Sequence, residues 1–291
     1  MPDDAVAREA AEADSLFAHP PVPPEATLRY GEHPDQLVDF YAPRGPEHPG
    51  GHPLVLVLHG GAWRATYDRA HLTPFAGLLA RRGFAVALAE YRRGAGLPGQ
   101  GAKARPGRWP ETFDDIATVL DTLPGLARKA LPRADPARTV LCGHSSGGHL
   151  ALWAAARHVL PADAPWRRAE PPALRGVVAL APLADLALAR ERGVCEGAVE
   201  PFLGGPATFG ERLPYADPAR LLPTGIATTL VQGRDDTEVP SGIAESFADA
   251  ASAAGEPAGV TLLEGIGHYA LVDPAADASA VVAEEIAQLA W

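Results

Sequence analysis

Two kinds of apolar pattern alternate along the chain. The first is a short continuous run, seen in PLVLVLHGG (53–61), FAVALAEYR (84–92), RTVLCG (138–143), RGVVALAPL (175–183), TTLVQG (228–233) and GVTLLEG (259–265). Runs without a polar residue at every second position are what a strand covered on both faces requires. The second kind repeats its apolar residues at helical spacing, in HLTPFAGLLARRG, PETFDDIATVLDTLPGL, SGGHLALWAAARHVL, SGIAESFADAASAAG and ASAVVAEEIAQLAW. Gly83 near the end of the first of these, and Pro110 with acids at the start of the second, are helix stop and start signals. Two shorter strands, TLRYGE and QLVDFYAP, flank the turn residues His33-Pro34-Asp35. Strands alternating with helices predict an α/β fold, a mostly parallel sheet covered on both faces.

Two stretches break this rhythm. Residues 1–26 are rich in Ala and acids and then in Pro (PPVPPE), which predicts a short helical arm with a stiff extended link, packed on the body. Residues 183–222 are long, mixed in polarity and punctuated by FLGGP and LPYADP, the character of a cap or binding insertion. No repeat and no second boundary interrupts 27–291, so the expectation is an N-terminal arm followed by one catalytic domain with a cap at about 183–222.

The chemistry concentrates where apolar runs end. Gly143-His144-Ser145-Ser146-Gly147 fits G-x-S-x-G, a weak pattern alone, but here it joins a strand-like run to a helix-like one, the context a nucleophile elbow needs. A serine hydroxyl attacks an acyl carbon only if an imidazole takes its proton and a carboxylate steadies that imidazole. His268 in LEGIGHYALVDP, after the last strand, is the candidate base. In VQGRDDTEVP, Asp236 is favoured as the acid by the spacing Gly233, Asp236, Val239, Pro240, with Asp235 and Glu238 as competitors. The order Ser, Asp, His follows. Oxyanion donors are expected from the backbone N–H groups of Gly61 and Ala62, in the loop after His59, and of Ser146.

Other polar and aromatic residues have blander readings beside the functional ones. His144 and His149 read as packing or hydrogen-bonding side chains, and with His158 they lack metal-site spacing, so no metal or cofactor is expected. His59 either orients the oxyanion loop or packs; Glu90, at a strand's carboxyl end, pairs with Arg92 or Arg93 or faces the substrate. Trp63, Tyr67, Trp109, Phe202 and Tyr269 are candidates for an acyl pocket, whereas Trp153 reads as core.

Composition narrows the class only a little. With 36 acidic against 25 basic residues the net charge is −11, which argues against a nucleic-acid surface. The two cysteines, Cys142 and Cys195, form no disulfide framework. The N-terminus lacks a basic region followed by an apolar one, and no run approaches a membrane span, so a cytoplasmic protein without membrane partners is expected. Oligomeric state leaves no signal in the sequence.

The stretches HGGAWRATYDR, AEYRR, GRWPETFDDI, GHSSGGHLALW, GRDDTEVP and GIGHYALVDP, spanning about 53 to 274, resemble those of HGG-bearing esterases and formamidases of the α/β-hydrolase superfamily. Kynurenine formamidases and bacterial enzymes of prolyl-oligopeptidase-like or carboxylesterase-like type are similar. The resemblance implies Ser145 as nucleophile, Asp236 as acid, His268 as base, and Gly61, Ala62 and Ser146 at the oxyanion. It departs from the formamidase pattern at Ala62, where an aromatic is frequent, and at Ser146, where Ala is common. The implied activity is cofactor-free hydrolysis of a small carboxylic ester or amide through an acyl-enzyme. Arylformamidase, acyl-peptidase or thioesterase chemistry is the alternative within enzymes, and a ligand-binding module on the same fold the alternative outside them.

Overall fold

A computed structural model describes residues 2–46, 48–94 and 106–291. Its eight strands are β1 (Ala26–Arg29), β2 (Leu37–Tyr41), β3 (His52–Leu58), β4 (Ala85–Ala89), β5 (Ala134–His144), β6 (Gly176–Leu180), β7 (Thr228–Gly233) and β8 (Gly259–Leu263). They form one sheet in the order β1-β2-β4-β3-β5-β6-β7-β8, with β1–β2 and β2–β4 antiparallel and every other pair parallel. Every strand predicted from an apolar run is present.

The central strands bury both faces because their side chains alternate between two cores. Leu54, Leu56, Leu58, Ala87, Leu141, Ala179 and Leu230 point into one, while Val55, Val57, Leu88, Cys142, Val178 and Val231 point into the other. The helices are α1 (Pro2–Ala18), α2 (Thr73–Arg81), α3 (Glu111–Ala130), α4 (Ser146–Ala155), α5 (Leu186–Glu191), the single kinked turn α6 (Val194–Gly197), α7 (Val199–Phe202), α8 (Pro206–Ala216), α9 (Gly242–Ala253) and α10 (Asp277–Ala290). The first core packs under α3, α4 and α9 through Phe113, Trp153 and Phe247; the second packs under α2 and α10 through Phe75, Val282 and Ile286. Among the described residues no helix is long and apolar enough to cross a membrane.

Helix boundaries differ from the sequence expectation at α4, which stops at Ala155 short of Leu160, and in two further places. The α3 pattern predicts an end near Leu126, but the helix runs through Pro124 and Gly125 to Ala130. Leu123 and Ala127 stay buried on its inner face, so tertiary packing outweighs the lost hydrogen bond. Residues 183–222 fold as α5 to α8 between β6 and β7, a helical content that their mixed polarity does not announce.

One contact fixes where the sheet meets its ligand-facing end. A Cβ on Gly147 would lie 2.2 Å from the Leu58 carbonyl oxygen and 2.4 Å from that of His59, and one on Gly143 would lie 2.1 Å from the Gly147 oxygen. Helix α4 therefore starts with its backbone directly against β3 and β5. Gly147→Ala is expected to destabilise the protein by about 3 kcal/mol, the scale of forced overpacking. Urea unfolding checks this as a lower midpoint at unchanged slope; an unmoved midpoint would show that α4 can lift off the sheet.

Candidate active site

Four sheet-end loops converge at the carboxyl ends of β3, β5, β7 and β8, where ligands collect in such sheets. Ser145 stands between β5 and α4 with φ 56° and ψ −121°, a conformation rare for a residue with a Cβ. It is held there by its own N–H to the Leu180 oxygen (2.8 Å) and by its carbonyl, which accepts the His149 N–H (3.1 Å). Strain fixed by surrounding bonds in this way is characteristic of functional positions. Gly60 packs on the other side, where a Cβ would come within 3.1 Å of the Ser145 Cβ.

The loops after β7 and β8 pack on each other. A Cβ on Gly233 would lie 2.3 Å from the Ile266 oxygen, so the β7 loop leaves its strand against the backbone of the β8 loop. His268 Nδ1 lies 2.8 Å from Asp236 Oδ2. The Asp236 carboxylate also accepts the backbone N–H groups of Glu238 (3.0 Å) and Val239 (2.7 Å) and the Gln232 amide (3.0 Å). Three residues, Gln232 from β7 with Glu238 and Val239, thus fix one carboxylate and through it one imidazole. Burial pulls the His268 imidazolium down, but the Asp236 charge and hydrogen bond outweigh it and raise its pKa above the usual 6.5. Asp235, the neighbouring competitor, pairs instead with Arg8 of α1.

His144 bonds to the loop after β8. Its Nε2 lies 2.9 Å from the His268 backbone oxygen and its ring lies 4.5 Å from the His268 ring. Burial and the nearby His268 hold its pKa well below 6.5, so a neutral His144 donates to the loop that carries His268. His149 is wholly buried, with Nε2 2.8 Å from the Ala216 oxygen, joining α4 to α8.

After β3 the backbone makes three successive left-handed residues, Gly61 (φ 111°), Ala62 (φ 50°) and Trp63 (φ 55°). Gly61 and Ala62 line the same cavity as Ser145. Trp63 is fully buried, stacked on Phe202 of α7 at 4.1 Å and 5°, with its N–H 3.4 Å from Ser146 Oγ. An ionic cluster braces this loop from behind. His59 is bonded to the Gly60 oxygen through Nδ1 (2.8 Å) and to Glu90 Oε1 through Nε2 (2.8 Å), while Glu90 also pairs with Arg93 and accepts the Arg69 N–H at 3.0 Å. Burial alone would raise the Glu90 carboxyl, but His59 and Arg93 outweigh it and bring its pKa down to about 2.

The cavity beside Ser145 has a volume of about 290 Å³ and holds His268, Tyr67 and Tyr269 on its walls. Trp63, Glu90, Trp109 and Phe202 do not line it. Trp63, Glu90 and Phe202 are consumed in the packing just described; Trp109 packs edge-on against Phe113 and Trp166 under the Arg212 guanidinium. These four correct the expectation of a substrate-facing role. Conversely, Leu16, Phe17, Arg64, His71, Cys195 and Glu196 line the cavity although no sequence signal marks them as site residues. His71 is held to a pKa of about 4 by burial and by neighbouring His59. Leu16 and Phe17 reach the cavity from α1, on which Glu9, Glu12 and Leu16 fall at i, i+3 and i+7 along one side.

Glu90→Gln is expected to cost about 3–5 kcal/mol, because it leaves the buried Arg93 without its counter-charge. The sign with pH follows from the lowered pKa. The stabilisation from Glu90 is complete above the usual 4.5 and lost as pH falls toward about 2. Urea unfolding of both proteins from about pH 7 to about pH 3 should therefore show the gap narrowing at the acid end. A constant gap would contradict the ionised assignment.

Comparison with known proteins adds relatives to this geometry. The BD-FAE family model matches residues 38–250. A probable isoprenylcysteine alpha-carbonyl methylesterase of Oryza sativa subsp. japonica is 29% identical over 248 residues, 82% of this chain and 56% of that protein. The chain thus spans little more than half the length of this curated relative. Esterase B from Lactobacillus rhamnosis is similar with a TM-score of 0.73 at 19% identity, covering 99% of this chain and 92% of its own. A truncated carbohydrate esterase from gut microbiota gives 0.71 at 17% identity, covering 91% and 96%.

Proposed function

The chain belongs to the BD-FAE family and has the α/β-hydrolase fold, and from that premise we propose that it is a serine hydrolase of small carboxylic esters. One observation supports this above all. Ser145, strained at a strand-to-helix turn, opens into the same cavity as His268, whose far nitrogen is tied 2.8 Å from a fully bonded Asp236. An Nδ1–H donated to Asp236 leaves the Nε2 lone pair of neutral His268 free to take the Ser145 proton. The Ser145 oxygen then attacks the ester carbonyl. The N–H groups of Gly61, Ala62 and Ser146 receive the oxyanion, at the start of α4 where the helix dipole favours negative charge. Protonated His268 gives its proton to the departing alcohol, and the same residue later activates water against the acyl-enzyme.

The rice relative is named a methylesterase and both structural neighbours are named esterases, which makes an ester carbonyl the first substrate class to test. A cavity of about 290 Å³ suits a small ester. In this reading residues 183–222 act as a cap, since Cys195 and Glu196 close one side of the cavity, while Arg64 bridges to Glu196 at 3.4 Å and to the Cys195 oxygen at 3.1 Å.

A fluorophosphonate probe is expected to label Ser145, and Ser145→Ala to lose both the label and p-nitrophenyl ester turnover by on the order of 10⁴- to 10⁶-fold. Retained turnover in that variant would sink the reading. With wild type, kcat/KM should rise with pH through a midpoint above 6.5, because the neutral imidazole is the working form and Asp236 favours the charged one. A pH–rate profile with its acid limb centred below 6.5 would contradict the role given to the Asp236–His268 pair.

A further inference from the structure

Helix α1 reaches across the site to both loops that carry the acid and the base. Glu12 is the central contact. Its Oε1 accepts the Gly267 N–H (2.8 Å), and its Oε2 accepts the N–H groups of Tyr269 and Ala270 (3.2 Å each), so the three bonds bracket His268. Gly267 leaves room for this: a Cβ there would lie 2.8 Å from Glu12 Oε2. One turn earlier, Glu9 Oε2 accepts both the N–H and the hydroxyl of Thr237, each at 2.7 Å, in the residue next to Asp236. Arg8 pairs with Asp235 in the same loop. One turn later, Leu16 and Phe17 form part of the cavity wall. The Phe17 ring lies 5.7 Å from Tyr67, 5.9 Å from His71 and 6.1 Å from Tyr269, so the aromatic side of the cavity is shared between α1 and the body.

We propose that α1 is a working part of the site, in which Glu12 is a positioning residue for His268 and Phe17 a specificity-determining residue that touches the substrate. Backbone amides on both sides of His268 hang on one carboxylate, so the direction of the imidazole is set by α1 as much as by Asp236. A carboxylate is the group this requires. It offers acceptors at both oxygens, whereas an amide would turn an N–H₂ donor toward one of the N–H groups it must bind. Phe17, with 46% of its surface exposed in the free protein, covers the outer end of the cavity and contributes its ring to whichever apolar substituent of the ester lies there. The proposal rests on the serine-hydrolase reading above.

Two full-length variants test it against p-nitrophenyl esters of graded acyl length, with the fluorophosphonate used to count active sites. Glu12→Gln should lower kcat per titrated site by about 10- to 100-fold with KM little changed, the signature of a misdirected base. A merely structural Glu12 would reduce the number of labelled sites and leave kcat per site at the wild-type value, which would overturn its assignment. Phe17→Ala, at a half-exposed position that folding tolerates, should raise KM by about 3- to 10-fold for the longer acyl chains and shift the length preference. An unchanged KM series would overturn the assignment of Phe17, and this arm stands even if Glu12→Gln does not fold. Should wild type fail to label at Ser145, the hydrolase reading itself falls, an outcome distinct from either variant behaving as wild type.

Discussion

The structure depends on backbone meeting backbone at the end of the sheet. Gly143, Gly147 and Gly60 let β3, the β5–α4 turn and the loop after His59 approach to distances that no side chain permits. That approach forces Ser145 into its strained dihedrals and points the start of α4 at the cavity. It also presses the three left-handed residues 61–63 against the turn, so the arrangement of Ser145 and the neighbouring backbone amides is one packing event and not several. Burial of the apolar strands on both faces supplies the rigidity this needs, because neither β3 nor β5 can shift without opening a core.

Around that point the polar groups are held by partners that the site itself does not use. Asp236 is fixed by Gln232 and two amides, His268 by Asp236 and the backbone bond from His144, and the loop after β3 by the Glu90 cluster. The Glu90 and Arg93 charges are almost wholly out of water, where an unpaired one is costly and a paired one stiffens its surroundings. Such preorganisation is what an oxyanion site requires, since donors that must reorient lose much of their effect.

The sheet and the residues Ser145, Asp236 and His268 were legible because each rests on a local signal. Apolar runs give buried strands, glycine-rich turns mark strand ends, and the sheet-end loops follow from chain order. The cavity walls were less legible, for a different physical reason. Trp63 and Phe202 have the composition of pocket aromatics, but they stack on each other, and nothing local distinguishes a ring that faces its neighbour from one that faces a ligand. Tyr67 and Tyr269 differ from them only in where their loops turn. The part played by Glu9, Glu12 and Phe17 depends on contacts more than two hundred residues away in sequence for the two carboxylates, which periodicity does not encode.

The Trp63–Phe202 stack ties the loop after β3 to the segment between β6 and β7. Trp63 is held at a positive φ in part by this stack, and its oxygen also accepts the N–H groups of Gly94 and Gly107. The inserted segment is therefore not uniformly exchangeable. Residues 199–203 brace the loop after β3 through Phe202, and residues 206–216 are tied to α4 by His149 Nε2 at the Ala216 oxygen and by Trp153 Nε1, which donates to the Tyr215 oxygen. An exchange within the insertion therefore meets two separate anchors, an aromatic pair against the loop after β3 and two hydrogen bonds from α4.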